Sequence, residues 1–156
     1  MSHSSESRSP ESVFRAGDMA DLHALMTWVS RACNEAGIDG ESAFAVRLAV
    51  EEAFTNIMEH GYGGRGGPVS IAFEIDARRV QVVMLDEAAP FDPADAPPAD
   101  LDAALEDRLP GGLGWHLVHQ VMDEVRHQAL LKPGNVLTLI KRLPASAPAA
   151  QGEGKQ

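Results

Sequence analysis

Residues 49–64 read AVEEAFTNIMEHGYGG, and this stretch decides how the rest of the chain is interpreted. Glu52 and Asn56 lie four residues apart within it, so a helix presents both side chains on one face. An amide oxygen can bind Mg²⁺, which prefers oxygen ligands, and a carboxylate can accept a proton from an attacking hydroxyl. Because Glu and Asn at this spacing are usually just part of a solvated helix face, the pair gains meaning only together with later segments.

Hydrophobic periodicity predicts one helix before this stretch and a second helix that contains most of it. The first should begin after the N-cap Asp18 and end near Gly37. Its predicted core stripe is Met19, Leu22, Met26, Val29, Cys33 and Ala36. The second helix should cover residues 41–60, with a buried stripe of Val46, Val50, Ala53 and Ile57. Glu52, Asn56 and His60 should form a row along the edge of that stripe, packed on one side and open to a ligand on the other.

The remaining pattern predicts short strands, one more helix and a glycine-rich break over residues 61–68. Predicted strands cover residues 12–15, 69–75, 79–85, 125–131 and 136–143, and the last helix covers residues 113–125 with Leu113, Leu117, Val121 and Val125 on one side. This order of elements predicts an α+β fold, in which helices pack on one face of a mixed, mostly antiparallel sheet.

Length and composition indicate one soluble, intracellular domain. The 156 residues divide into an expected disordered leader (1–11), a domain (12–143) and a disordered tail (144–156). A single cysteine, Cys33, excludes a disulfide framework and suits a reducing cytoplasm. The formal net charge of −10 argues against nucleic acid as a partner. The first ten residues lack the apolar stretch typical of a signal peptide, and no apolar run in the sequence approaches the length expected of a membrane span.

Two later segments carry further candidate chemistry. The first is DEAAPFDP (residues 86–93), where Asp86 ends a predicted strand and can accept a hydrogen bond from the exocyclic amine of adenine. Its alternative role is to cap the loop that follows. The second is GGLGWHL (residues 111–117) at a helix start, where glycines let backbone N–H groups approach a phosphate. Those glycines can also serve only as a flexible entry into the helix.

In combination and in this order, the segments resemble the nucleotide-binding boxes of the GHKL ATPase superfamily. The matching stretches are EEAFTNIMEHGYGG, DEAAPFDP, GGLGWHLVHQVMDEV and the closing GNVLTLIKR. Their details are similar to the anti-sigma-factor serine/threonine kinases of bacterial partner-switching systems. The resemblance covers about residues 14–142 and implies a Bergerat-type ATP-binding α/β sandwich.

The resemblance implies a role for each matching position. Glu52 would be the catalytic base, Asn56 would hold the Mg²⁺ that bridges the ATP phosphates, and Asp86 would read adenine. Gly112 and Gly114 would line the phosphate end. The other positions implied in the nucleotide site are Ala88, Phe91, Arg108, Gly111 and Leu113, and residues 95–109 would form a lid over the nucleotide.

Glu51 and Ala88 both bear on these assignments. Glu51 competes with Glu52 for the role of base, but it points about 100° away around the helix, so only Glu52 shares a row with Asn56. The family usually has glycine where this chain has Ala88. If that glycine adopts a positive φ, alanine would cost roughly 1–2 kcal/mol, or about tenfold in nucleotide affinity. If it instead lets the backbone approach the purine closely, the methyl group of alanine would cost more.

The implied function is a cytoplasmic protein serine/threonine kinase that acts in transcription regulation. It would transfer the γ-phosphoryl group of ATP, with Mg²⁺, to an anti-sigma-factor antagonist of the STAS type. It would also act as an anti-sigma factor that sequesters a sigma factor, and it would form a homodimer. The alternative is a catalytically weak or inactive module on the same fold that regulates by sequestering a protein partner.

Overall fold

The computed structural model describes residues 13–90 and 112–145, which contain three α-helices and five β-strands. The helices are α1 (Leu22–Glu35), α2 (Gly40–Asn56) and α3 (Gly112–Val121). The strands are β1 (Val13–Ala16), β2 (Val69–Ile75), β3 (Arg79–Asp86), β4 (Glu124–Ala129) and β5 (Asn135–Arg142). A 3-10 turn over Met19–Asp21 precedes α1, and a π-helical turn over Ile57–Gly61 follows α2.

All five strands form one sheet in the order β1-β2-β3-β5-β4. Every pairing between these strands is antiparallel, so the predicted α+β class is confirmed with a sheet that is antiparallel rather than mixed over the described residues. The chain leaves the sheet after β3, forms α3, and returns through β4 to β5, which pairs with β3. This return places Asp86, the last residue of β3, directly opposite Asn135, the first residue of β5.

The helices cover one face of the sheet and enclose the core. Strands β2, β3 and β5 alternate buried and less buried side chains, as expected when one face of a sheet is packed. The predicted stripe of α2 is confirmed, because Val46, Val50, Ala53 and Ile57 are all buried in the core. The core also contains Phe54, which is fully buried. Helix α2 is therefore the element that joins the core to the candidate site residues on its C-terminal half.

The predicted core stripe of α1 is wrong at both ends. Met19 is 38% exposed and Ala36 is also exposed, whereas Leu25, outside the predicted stripe, is fully buried. The reason is that both residues lie outside α1: Met19 is in the 3-10 turn before the helix, and Ala36 follows its last residue, Glu35. The capping carboxylate of Asp18 accepts a hydrogen bond of 2.8 Å from the N–H of Ala20 and starts that turn.

Helix α3 also differs from its prediction. It ends at Val121, four residues earlier than expected. Trp115 and Val118, with Met122 just after the helix, are buried, whereas Val121 of the predicted row is only partly buried against the core. Val125 belongs to β4. The sequence contains two overlapping apolar rows at helical spacing, and only packing against α2 and the sheet selects between them.

Several predictions fall outside the described ranges. They concern the leader, the lid over residues 95–109 and the tail from residue 146 onward. Within the described ranges, none of the helices combines the length and the apolar character that crossing a bilayer requires.

Candidate functional site

The predicted site residues Asn56 and Asp86 meet in one small pocket between helices and sheet. The pocket is bounded by α2, by α3 and by the ends of β3, β4 and β5. Its lining residues are Ala53, Asn56, Ile57, Asp86, Trp115, His127, Asn135 and Leu137. Sequence separation between Asn56 and Asp86 is 30 residues, so their convergence is a property of the fold and not of local spacing.

Asn56 is a buried amide without a hydrogen-bond partner in the described part of the chain. Its side chain is 2% exposed, and neither Oδ1 nor Nδ2 has a hydrogen-bond partner among the residues that the structure describes. A buried polar group left unsatisfied costs about 1–3 kcal/mol, so such groups are rare without a ligand. An amide oxygen is a suitable ligand for Mg²⁺, and Asn56 therefore fits the predicted magnesium position. The expectation of an open helix edge is wrong, because Asn56 is enclosed.

The widened turn after α2 also alters the predicted row of polar side chains. Residues Ile57–Gly61 form a π-helical turn, in which hydrogen bonds span five residues and the spacing of an α-helix is lost. His60 is exposed, and Asn56 is not. Of the three predicted positions, Glu52 and Asn56 therefore remain at α-helical spacing, and His60 does not continue their row.

Glu52 lies one helical turn before Asn56 and is half-buried. Burial raises the pKa of its carboxyl group, and the negative charges of Glu51 and Glu59 raise it further. A carboxylate whose pKa moves toward neutrality is a better proton acceptor at physiological pH than one at the ordinary value. The environment of Glu52 is therefore suitable for a general base.

Gly114 on α3 makes room for this carboxylate. A β-carbon built on Gly114 would lie 2.6 Å from Cδ of Glu52 and would overlap its Oε1 atom. The close approach of α3 to α2 at this point is possible only because residue 114 has no side chain. The structure thus places Gly114 against the predicted base, where the sequence interpretation expected it beside phosphate.

The other glycine-segment positions are only partly described. Gly112 is the first residue of α3 and Leu113 the second. Gly111 precedes the helix and, like Phe91 and Arg108, lies outside the described ranges. The proposed phosphate end of the site therefore stays a prediction for these positions.

Asp86 is held at the end of β3 by two donors. It is 5% exposed, and its Oδ1 atom accepts hydrogen bonds of 2.9 Å from the N–H of Ala88 and from Nδ2 of Asn135. The side chain caps its own loop as well as lining the pocket, so the two interpretations of this aspartate are compatible. Ala88 does not have a positive φ, so the backbone strain considered for alanine at this position is absent.

The turn after Asp86 is held by Tyr62, which the sequence interpretation did not identify. The Tyr62 hydroxyl accepts a 2.7 Å hydrogen bond from the N–H of Glu87 and donates a 2.6 Å bond to the carbonyl of Pro68. Burial raises the pKa of the phenol, and nearby acidic charges add to this although the Glu87 N–H opposes it. A tyrosine within the glycine-rich segment was the available signal, because such segments otherwise contain little that can anchor a neighbouring loop.

Asn135 and His127 are further pocket residues that sequence reasoning missed. Asn135 is 1% exposed, and its Oδ1 lies 3.1 Å from Nε2 of His127. Both residues lie on the final hairpin, which was predicted, but its pairing with β3 was not. The signal was Asn135 following a glycine at the start of a strand, and that pattern alone does not indicate which strand it faces.

Comparison with known proteins agrees with this geometry. A family model described as the histidine kinase-like ATPase domain matches residues 16–141. The serine-protein kinase RsbW of Halalkalibacterium halodurans is 31% identical over 120 residues, covering 74% of this chain and 72% of the relative. RsbW of Bacillus subtilis is 36% identical over 88 residues, covering 53% and 55%. RsbW of Bacillus cereus is 28% identical over 101 residues, covering 58% and 63%.

The family match includes α1, α2 and α3, strands β2 to β4 and most of β5. It therefore contains every described residue that lines the pocket. The resemblance inferred from the sequence motifs is confirmed at the level of the family. The chain belongs to the histidine kinase-like ATPase family, the GHKL ATPases.

Proposed function

We propose that this chain is an ATP-dependent protein serine/threonine kinase that also acts as an anti-sigma factor. Its substrate would be an antagonist protein of the STAS type, and it would hold a sigma factor inactive until unphosphorylated antagonist displaces it. The single observation that carries the proposal is the buried amide of Asn56, which has no partner within residues 13–90 and 112–145 and shares a pocket with Asp86. Relatives named as serine-protein kinases support the same assignment.

The chemistry divides among three residues. Asp86 would accept a hydrogen bond from the amino group of adenine. Asn56 would hold Mg²⁺, which neutralises charge on the phosphates when it is bound. Glu52, one turn before Asn56, would take the proton from the serine or threonine hydroxyl of the substrate. The hydroxyl oxygen would bond to the γ-phosphorus while the bond from that phosphorus to the bridging oxygen of the β-phosphate breaks, and ADP would leave. The raised pKa of Glu52 favours this proton transfer.

The proposed partners agree with the charge of the chain. A formal net charge of −10 favours association with basic protein surfaces and disfavours nucleic acid. We place the protein in the cytoplasm, because a sigma factor acts there. A homodimer is part of the proposal on the ground of family resemblance.

A degenerate binding module on the same fold is the alternative that the test addresses. One of its sequence arguments was backbone strain at Ala88, and Ala88 has no positive φ. The pocket also retains Asn56 and Asp86. These observations favour the kinase over the inactive module.

The nucleotide site is tested by calorimetric titration of ATP with and without Mg²⁺. We expect Mg²⁺-dependent binding by the wild type and its loss in Asn56→Ala. Asn34→Ala is the matched control, because Asn34 is exposed near the end of α1 and should not affect binding. Absence of ATP binding by the wild type would refute the kinase and leave the binding module.

The catalytic assignment is tested by transfer of labelled γ-phosphate to a STAS-type antagonist from the same organism. Glu52→Ala should abolish transfer and leave ATP binding nearly intact. Glu51→Ala removes the same charge one residue away and should retain most of the transfer. Loss of transfer in Glu51→Ala with retention in Glu52→Ala would show that the wrong glutamate was chosen.

A further inference from the structure

A row of hydrogen-bonded side chains crosses three neighbouring strands at the pocket end of the sheet. Asp86 on β3 accepts a bond of 2.9 Å from Nδ2 of Asn135 on β5. Oδ1 of Asn135 in turn lies 3.1 Å from Nε2 of His127 on β4. The same Nδ2 group is 3.3 Å from the carbonyl oxygen of Ala89, just beyond β3. All three side chains line the pocket.

The partners of Asn135 determine which way its amide faces. An amide nitrogen only donates and an amide oxygen only accepts. The carboxylate of Asp86 and the carbonyl of Ala89 both accept, so the nitrogen must face them and the oxygen must face His127. Nε2 of His127 therefore carries a hydrogen and donates a hydrogen bond to Oδ1 of Asn135. With 1% exposure and partners on both sides, the amide has one orientation.

This arrangement divides the two oxygens of Asp86 between the protein and the pocket. Oδ1 receives two hydrogen bonds, from Nδ2 of Asn135 and from the N–H of Ala88, which occupy its two lone pairs. Oδ2 receives no hydrogen bond from the described residues. The oxygen left for a ligand can only accept a hydrogen bond, so the ligand edge that faces it must donate one.

We propose that Asn135 is a positioning residue for base recognition: by fixing Oδ1 of Asp86, it presents Oδ2 to the pocket as an acceptor and selects purines with an amino group at position 6. His127 supports it by fixing the amide orientation. This inference rests on the proposed function, because it assumes that a purine nucleotide occupies the pocket. A purine with a carbonyl oxygen at position 6 would place that acceptor opposite Oδ2 of Asp86, which is also an acceptor, and would bind more weakly.

The test compares ADP with inosine diphosphate (IDP), which has a carbonyl oxygen in place of the amino group at position 6. Both are titrated calorimetrically with Mg²⁺ into the wild type and into Asn135→Leu, which nearly keeps the size of the side chain and removes its donors without adding a charge beside Asp86. We expect the wild type to prefer ADP by about tenfold or more, since an unmatched hydrogen bond to a charged group is worth that much. In Asn135→Leu this preference should fall to within about threefold.

Two further variants separate positioning from folding. Gln128→Leu makes the same change of amide to hydrocarbon on the exposed Gln128 of β4, next to His127, and should keep the wild-type preference. Asn135→Ala removes the donors with a smaller side chain, and it serves if the leucine variant does not fold. Its preference for ADP should also fall.

The outcomes are distinct. An unchanged ratio of ADP to IDP affinity in both Asn135 variants would overturn the positioning role and leave the proposed kinase intact. Equal weakening of both nucleotides would also overturn it, since that result indicates only a structural role. If the wild type binds neither nucleotide, the proposed function fails, and this inference fails with it.

Discussion

Replacing Gly114 with alanine should separate catalysis from stability. The new β-carbon would overlap the Glu52 carboxylate and lie 2.6 Å from its Cδ atom, so the carboxylate must move. Alanine gains up to about 1 kcal/mol over glycine within a helix. Forcing Glu52 off its preferred rotamer costs about 0.5–1.5 kcal/mol. These two terms nearly cancel, and the free energy of unfolding should change by less than about 1 kcal/mol.

Catalysis should respond much more strongly to the same change. Misplacing a reacting group by about 1 Å can cost about a hundredfold in rate. We therefore expect γ-phosphate transfer by Gly114→Ala to fall at least tenfold, with nucleotide binding largely retained. The assays are urea unfolding, calorimetric titration of ADP with Mg²⁺, and transfer to the antagonist protein.

Gly40→Ala is the matched control for this experiment. Gly40 is the first residue of α2, and a β-carbon there would meet nothing within 4 Å. The control should be as stable as the wild type or slightly more stable, with unchanged transfer. If Gly114→Ala transfers phosphate at the wild-type rate, the reasoning that links Gly114 to the position of Glu52 is refuted.

Three further predictions follow from the site. Glu52→Gln should raise the melting temperature at pH 7 while abolishing transfer. Because folding raises the pKa of Glu52, ionisation of its carboxyl group destabilises the fold as pH rises. The difference in melting temperature between the variant and the wild type should therefore shrink toward pH 4. Asn56→Leu should raise the free energy of unfolding without nucleotide by about 1–3 kcal/mol and remove the stabilisation by Mg²⁺ and ADP, both measured by urea unfolding. Tyr62→Phe loses the bonds to Glu87 and Pro68, so it should unfold about 1–2 kcal/mol more easily and bind ADP more weakly in calorimetry.

Each of these three has an outcome that would contradict it. A glutamine variant less stable than the wild type at pH 7 would mean that the Glu52 carboxylate is satisfied in the fold. A leucine variant that unfolds more easily than the wild type would mean that the Asn56 amide has partners. Unchanged ADP affinity in the phenylalanine variant would show that the Tyr62 hydroxyl does not support the Asp86 turn.

Local patterns in the sequence predicted local structure well. Strand β2 was predicted with its observed bounds, and β3 was predicted one residue short. The buried stripe of α2 was correct because four apolar residues at helical spacing leave one choice of face. The α+β class followed from the order of these elements, since each must bury an apolar face against another.

Long-range contacts were less accessible to sequence reasoning. Asp86 and Asn135 are 49 residues apart, and nothing in either local pattern indicates that β3 pairs with β5. The contact between Gly114 and Glu52 likewise depends on how α3 packs against α2. In α3, spacing alone selected the row that contains Val121, which packs against the core only in part, whereas tertiary packing buries Trp115 and Val118 more completely.

Nucleotide recognition depends on the register in which β3 pairs with β5. A slip of one residue between these strands would turn Asn135 to the opposite face of the sheet and leave Asp86 without its donor. A misregistered chain could keep much of its hydrogen bonding and still lose the purine pocket. A ligand that binds only the correct register stabilises that register by mass action. Nucleotide present during folding should therefore increase the yield of correctly paired protein.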